Sequence, residues 1–208
     1  MKLSINHQES YSRSELLLRS IFGFIYIILP HVFLLMFVQL WGSILQFISF
    51  WAIMFTGKYP QSFFEFQEKA MRWNLRVNAR MLNLSDGYPS FGLDGTDDST
   101  SLTIPYMESS SRGSTLMIML FGAFYIGIPH GFMLFFRYIG VMVINFLAFW
   151  AVLFTGKYPA SWHKFVVETI RWGTRVGIHM MFMSPDYPPF HGRPLEGEEE
   201  IDHIVSSD

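Results

Sequence analysis

The sequence predicts an all-α membrane protein of two tandem repeats, each a transmembrane or re-entrant helical hairpin followed by a cytoplasmic amphipathic helix lying in the membrane interface. Three observations predict it. The 208 residues are 50% hydrophobic and 18% aromatic but only 15% charged, with a mean hydropathy of +0.27, whereas soluble domains carry roughly 25% charged residues. Ile21 to Phe55 contains no charged residue, and Leu116 to Phe154 contains only Arg137. Finally, a shift of 99 residues aligns Ile21 to Phe91 with Leu120 to Phe190 without a gap, with about 30 of 71 pairs identical, so one module is written twice.

Composition also narrows the function classes. With no cysteine there is no disulfide framework, thiolate nucleophile or thiolate metal site. A net charge of −2 gives no electrostatic footprint for nucleic acid.

Taken in order, residues 1–15 form an N-terminal segment and 16–91 the first repeat, with a membrane hairpin over 16–56. A straight helix of 35 uncharged residues would be about 52 Å long against a hydrocarbon core of about 30 Å, so the stretch is expected to fold back on itself. The turn is placed at Gln39 to Gly42, and at Arg137 to Gly140 in the second repeat, where a polar residue, an aromatic and a glycine coincide. Gly57 and Gly156 suit the helix ends, and Pro60 and Pro159 the next first turns. From there 60–84 reads as an amphipathic helix: Glu65, Lys69, Arg72, Arg76 and Arg80 occupy one face, and Phe66, Trp73, Val77, Met81 and Leu84 another. Residues 92–113 read as a polar, acidic linker. The second repeat, 114–190, repeats the plan with a hairpin over 114–155 and a surface helix over 159–183. Residues 191–208 form an acidic tail carrying Glu196, Glu198, Glu199, Glu200 and Asp202.

Charge placement fits hairpins. Of 15 Lys and Arg, 14 fall in the termini, the linker or the segments after Phe55 and Phe154. Two spans per repeat put all of these on the cytoplasmic side, make the repeats parallel about an axis along the membrane normal, and leave both termini cytoplasmic.

Several residues stand out as candidate sites. His31 and His130 each follow a proline inside an apolar stretch. Bonding to backbone groups freed by the proline, or to a neighbouring helix, is the main reading, and bis-histidine ligation of a haem b is the alternative. Gln46 and Asn145 occupy matching positions and read as glue between helices. Arg72, Arg76, Arg171 and Arg175 could clamp an anionic lipid headgroup, although nonspecific surface attraction is the plainer reading. Lys58 and Lys157, with Trp73 and Trp172, read as interface anchors. Tyr88-Pro89 and Tyr187-Pro188, with Phe91 and Phe190, read as extended stops that return an aromatic onto the surface helix.

The ordered motifs FTGKYP, then RW with RV four residues after the first arginine, then YPxF, occur once in each copy. This series resembles a bacterial membrane-protein family catalogued only as a domain of unknown function. The resemblance implies a bacterial inner-membrane location, and it brings no catalytic or binding residues. The expected function is that of a non-enzymatic integral membrane protein, an accessory, scaffolding or assembly subunit with lipid and membrane-protein partners and no nucleic acid. An anionic-lipid-binding or small-solute transport protein is the alternative, and a haem-b electron-transfer subunit the second alternative.

Overall fold

The structure, a computed structural model, describes residues 1–198, so Glu199, Glu200 and Asp202 of the expected tail lie outside the described residues. Its elements run β1 (Lys2–Ile5), α1 (Arg13–Thr56), α2 (Gln61–Met81), β2 (Thr100–Thr103), α3 (Arg112–Thr155) and α4 (Ala160–Met180). Each of α1 and α3 carries one π-helical turn, Phe24–Ile28 and Ala123–Gly127.

The main correction concerns the hairpins. Each 44-residue stretch is one helix, long and apolar enough to cross a membrane, and it runs helical through Gln39–Gly42 and Arg137–Gly140. The glycines mark close packing rather than a turn. The Gly42 carbonyl accepts the Gln67 Nε2–H at 2.6 Å, and a Cβ on Gly140 would lie 3.2 Å from the Phe165 ring. Arg137 is not at a tip: its Nε donates to Thr169 Oγ1 at 3.0 Å, and its guanidinium stacks 4.3 Å from the centre of the Phe165 ring.

Both long helices end as the sequence suggests. Gly57 and Gly156 take φ of 74° and 73°, a left-handed cap that residues with a Cβ rarely adopt, and their N–H groups bond back to Ile53 and Val152. The chain then reverses, and α2 returns antiparallel along α1: Gln67 lies at Gly42, Trp73 at His31 and Met81 at Gly23. The expected surface helix therefore buries its apolar stripe against the stripe Ile27, His31, Leu35 and Gly42 of its own repeat, instead of against lipid. Trp73 and Trp172, expected at the interface, are buried at 3% and 2% exposure.

The two repeats are antiparallel. Arg13 donates to the Phe154 carbonyl and Arg112 to the Phe55 carbonyl, so the start of each long helix sits at the end of the other. Inward from this end, Arg19 bonds Asn83, which in turn donates to Asn145.

The start of the expected linker is a loop, but 100–112 is an N-terminal arm like that of copy one. Leu3, Ile5, Glu9, Ser10, Ser12 and Arg13 recur at the same offset as Leu102, Ile104, Glu108, Ser109, Ser111 and Arg112. The arms are exchanged. β1 and β2 pair antiparallel with Leu3 opposite Leu102, each its own counterpart, which puts the pseudo-twofold axis through the ribbon and across the long helices. Arg72 Nε donates to the Leu102 carbonyl and Arg171 to the Leu3 carbonyl, at 2.7 and 3.0 Å. In the same way Tyr106 bonds the Tyr59 carbonyl and His7 bonds the Tyr158 carbonyl. Each arm thus lies on the helices of the other copy, and the geometry is that of a closed, self-complementary pair joined in one chain.

Candidate functional site

The family motifs converge on one constellation per repeat, and a proline starts it. Pro30 has no N–H to offer the carbonyl four residues back, that of Tyr26, which lies within the π turn Phe24–Ile28. The Tyr88 hydroxyl donates to that carbonyl at 2.9 Å, and Tyr187 does the same for Tyr125 at 3.0 Å. One turn on, the His31 Nδ1 accepts the Trp73 Nε1–H at 2.8 Å, with His130 and Trp172 matching at 2.9 Å. Phe91 stacks flat on His31 at 3.9 Å and Phe190 on His130 at 4.0 Å. The YPxF segment is thus a cover that donates a hydroxyl to a π-turn carbonyl and stacks a ring on a buried imidazole. Its hydroxyl role went unseen in the sequence, although a proline four residues after a repeated tyrosine was the available signal.

This geometry does not fit haem. Indole N–H only donates, so each Nδ1 is unprotonated and the hydrogen sits on Nε2, which is buried and has no partner among the described residues. Ligation through Nε2 would demand an imidazolate. Each histidine is also enclosed by the Trp, Tyr and Phe of its own repeat. Among the described residues no three His, Asp or Glu side chains converge as metal ligands.

The arginines expected at lipid headgroups hold backbone instead. Arg76, buried at 3% exposure, donates to the Ser90 and Gly92 carbonyls and so clamps the segment carrying Phe91. Arg175 does the same to His191 and Arg193, and Arg171 to Gly192 and Leu3. Arg72, half-exposed, pairs with Glu68 at 2.7 Å besides holding β2. The arginine fork suits paired carbonyls as well as it suits phosphate, so residue type alone did not separate the two. Lys58 and Lys157 are exposed at the ends of the long helices. Gln46 donates to the Met180 carbonyl at 3.2 Å and Asn145 accepts from Asn83 at 3.2 Å, so both polar pairs join the repeats.

Two further clusters were not singled out in the sequence. Arg80 and Asp97 form a buried two-bond ion pair at 2.9 and 2.7 Å. Burial alone would raise the Asp97 carboxyl, but the Arg80 and Thr100 bonds outweigh it and hold it below its ordinary value. Where copy one has Tyr106 and Phe64, copy two has His7 and His163, with ring centres 4.9 Å apart beside Tyr158 and Tyr11. Burial, aided by His7, pushes His163 down to about 4, and burial pushes the Tyr11 hydroxyl up to about 12.

The fold and this site define a class: a duplicated helical protein whose recurrent motifs close a half-exposed Tyr and Phe over a buried His-Trp pair beside each long apolar helix. The sequence profile of the family described as Domain of unknown function (DUF4389) matches residues 13–92 and 120–191, and the chain belongs to that family. The matched stretches hold both constellations and leave out the strands. No curated protein and no solved structure matches the chain.

Proposed function

We propose that the protein is a non-enzymatic integral membrane protein of a bacterial inner membrane, acting as an accessory, scaffolding or assembly subunit of a larger membrane complex. One observation carries the reading: α1 and α3 leave large apolar side chains uncovered along their whole length, from Leu17 to Phe55 and from Leu116 to Phe154. A contiguous apolar face of this extent marks a membrane or protein contact. The motif residues support it, because their polar atoms are engaged in closing loops over the fold.

The partners are membrane lipid and other membrane-protein subunits. Purification of the tagged chain in mild detergent, followed by mass spectrometry, tests this. A stoichiometric membrane-protein companion is expected, and a monodisperse lone chain would overturn the scaffold reading.

A further inference from the structure

We infer that the protein lies along the membrane in a single leaflet, with α1 and α3 flat in the acyl layer and α2, α4 and the paired strands on the aqueous side. The inference rests on the membrane reading above and adds what that reading leaves open, the orientation. Three features of the molecule lead to it.

The first is length. Helices of 44 residues are about 66 Å long, more than twice a hydrocarbon core of about 30 Å, and they do not fold back. No usual tilt absorbs that excess.

The second is the segregation of charge around each helix. Between Leu17 and Phe55 the only charged residue is Arg19, which is buried and paired with Asp86 at 3.0 Å. In α3 beyond its first residue it is Arg137, docked on α4. The opposite side of each long helix carries α2 or α4, with exposed Glu65 and Lys164 and the nearby ion pair of Lys69 with Asp94. Were the long helices upright, these charged side chains would stand at hydrocarbon depth. With them flat, one stripe meets acyl chains and the charges meet water, the arrangement of interfacial helices. Arg13, Lys58, Arg112 and Lys157, exposed at the four helix ends, then sit at the headgroups.

The third is symmetry. The pseudo-twofold crosses the long helices, so in an upright molecule it would lie in the membrane plane and put the two Gly-Lys-Tyr-Pro segments on opposite sides. In a flat molecule it stands along the membrane normal, and both copies share one face. That also returns the basic residues to one side, as charge placement in the sequence requires.

The absence of cysteine makes the test direct. Single cysteines replacing Ile21, Phe33, Phe47 and Phe55, all well exposed, are spin-labelled in the full chain and reconstituted into phosphatidylethanolamine/phosphatidylglycerol vesicles. Depth is read from oxygen against nickel-chelate collision rates. Flat insertion gives four depths within about 5 Å of one another, all in the acyl layer of one leaflet. A steady gradient through the bilayer midplane overturns the inference. Phe124, Phe136, Phe146 and Phe154 repeat the test in the second copy.

Lys58→Cys and Lys157→Cys are also labelled with an impermeant maleimide in right-side-out and inverted membrane vesicles. Both are expected to react from the same side, and reaction from opposite sides overturns the inference while leaving the membrane reading intact. Complete release of the wild-type chain by alkaline carbonate would instead sink both readings together, as it would if a second copy rather than lipid covered the apolar face.

Discussion

The Trp73–His31 bond is the most exacting test of how the family motifs work, because it is buried and duplicated. Trp73→Phe keeps an aromatic ring but removes the donor, leaving His31 Nδ1 without a partner at a site of 0% exposure. An orphaned buried acceptor costs about 1–3 kcal/mol. For a chain of this length each kcal/mol moves the unfolding midpoint by roughly 2–4 °C, so the lost bond alone is worth about 2–12 °C. The loss of the larger ring adds to this in the single variant. A double-mutant cycle with His31→Leu separates the two, since each single variant strands one partner, the Nδ1 acceptor or the Trp73 Nε1–H, and the double variant strands neither. The double variant should therefore be more stable than the sum of the single losses requires, by about 1–3 kcal/mol. Thermal unfolding in one fixed detergent, followed by helical circular dichroism, gives the ranking. Trp172→Phe with His130→Leu is an internal replicate and should return the same coupling within about 0.5 kcal/mol. Additive losses in both copies would refute the role assigned to the bond.

Three other predictions follow from named contacts. His163 is held neutral with its value down at about 4, against about 6.5 when unfolded, so the unfolded chain binds the extra proton. Its contribution, of order 3 kcal/mol, is full above pH 6.5 and is lost as pH falls towards 4. His163→Phe, which copies Phe64, should flatten the unfolding midpoint over that window, and an unchanged slope would count against the assignment. Asp97→Ala strands the buried Arg80 and should cost about 3–5 kcal/mol in unfolding experiments. Because the folded Asp97 value is lowered, the wild-type pair stabilises above about pH 4 and fades as pH falls through the folded value, a loss the variant should not show. Gly42→Val drives a side chain into Gln67, whose Oε1 lies 3.0 Å from where a Cβ on residue 42 would stand, and should cost about 1–3 kcal/mol. Adding Gln67→Val should recover most of that, since the equivalent positions in copy two are the buried pair Val141 and Val166, and failure to recover would show that the two copies pack differently here.

The sequence by itself determined which stretches are helical and apolar, that the module occurs twice, and where the long helices end, because these depend on composition, on the 99-residue offset and on a glycine reaching positive φ. It also placed Trp73, Val77 and Trp172 on a buried stripe through the 3.6-residue spacing, but it set Arg76, Arg80, Arg171 and Arg175 on the opposite, polar face, and those arginines are buried as well. Only the tertiary structure decided what that stripe meets. Periodicity records that a face leaves water, not whether a bilayer or another helix receives it, so the partner stripe of α1 was invisible. For the same reason Gly42 read as a turn until Gln67, 25 residues away, was seen to lie against it. The arginines read as surface charges near lipid headgroups, whereas the carbonyls of distant loops fill their forks. Arm exchange and the antiparallel packing of the repeats are likewise contacts across about a hundred residues. Such contacts are set by how whole elements fit together, and no local spacing encodes them.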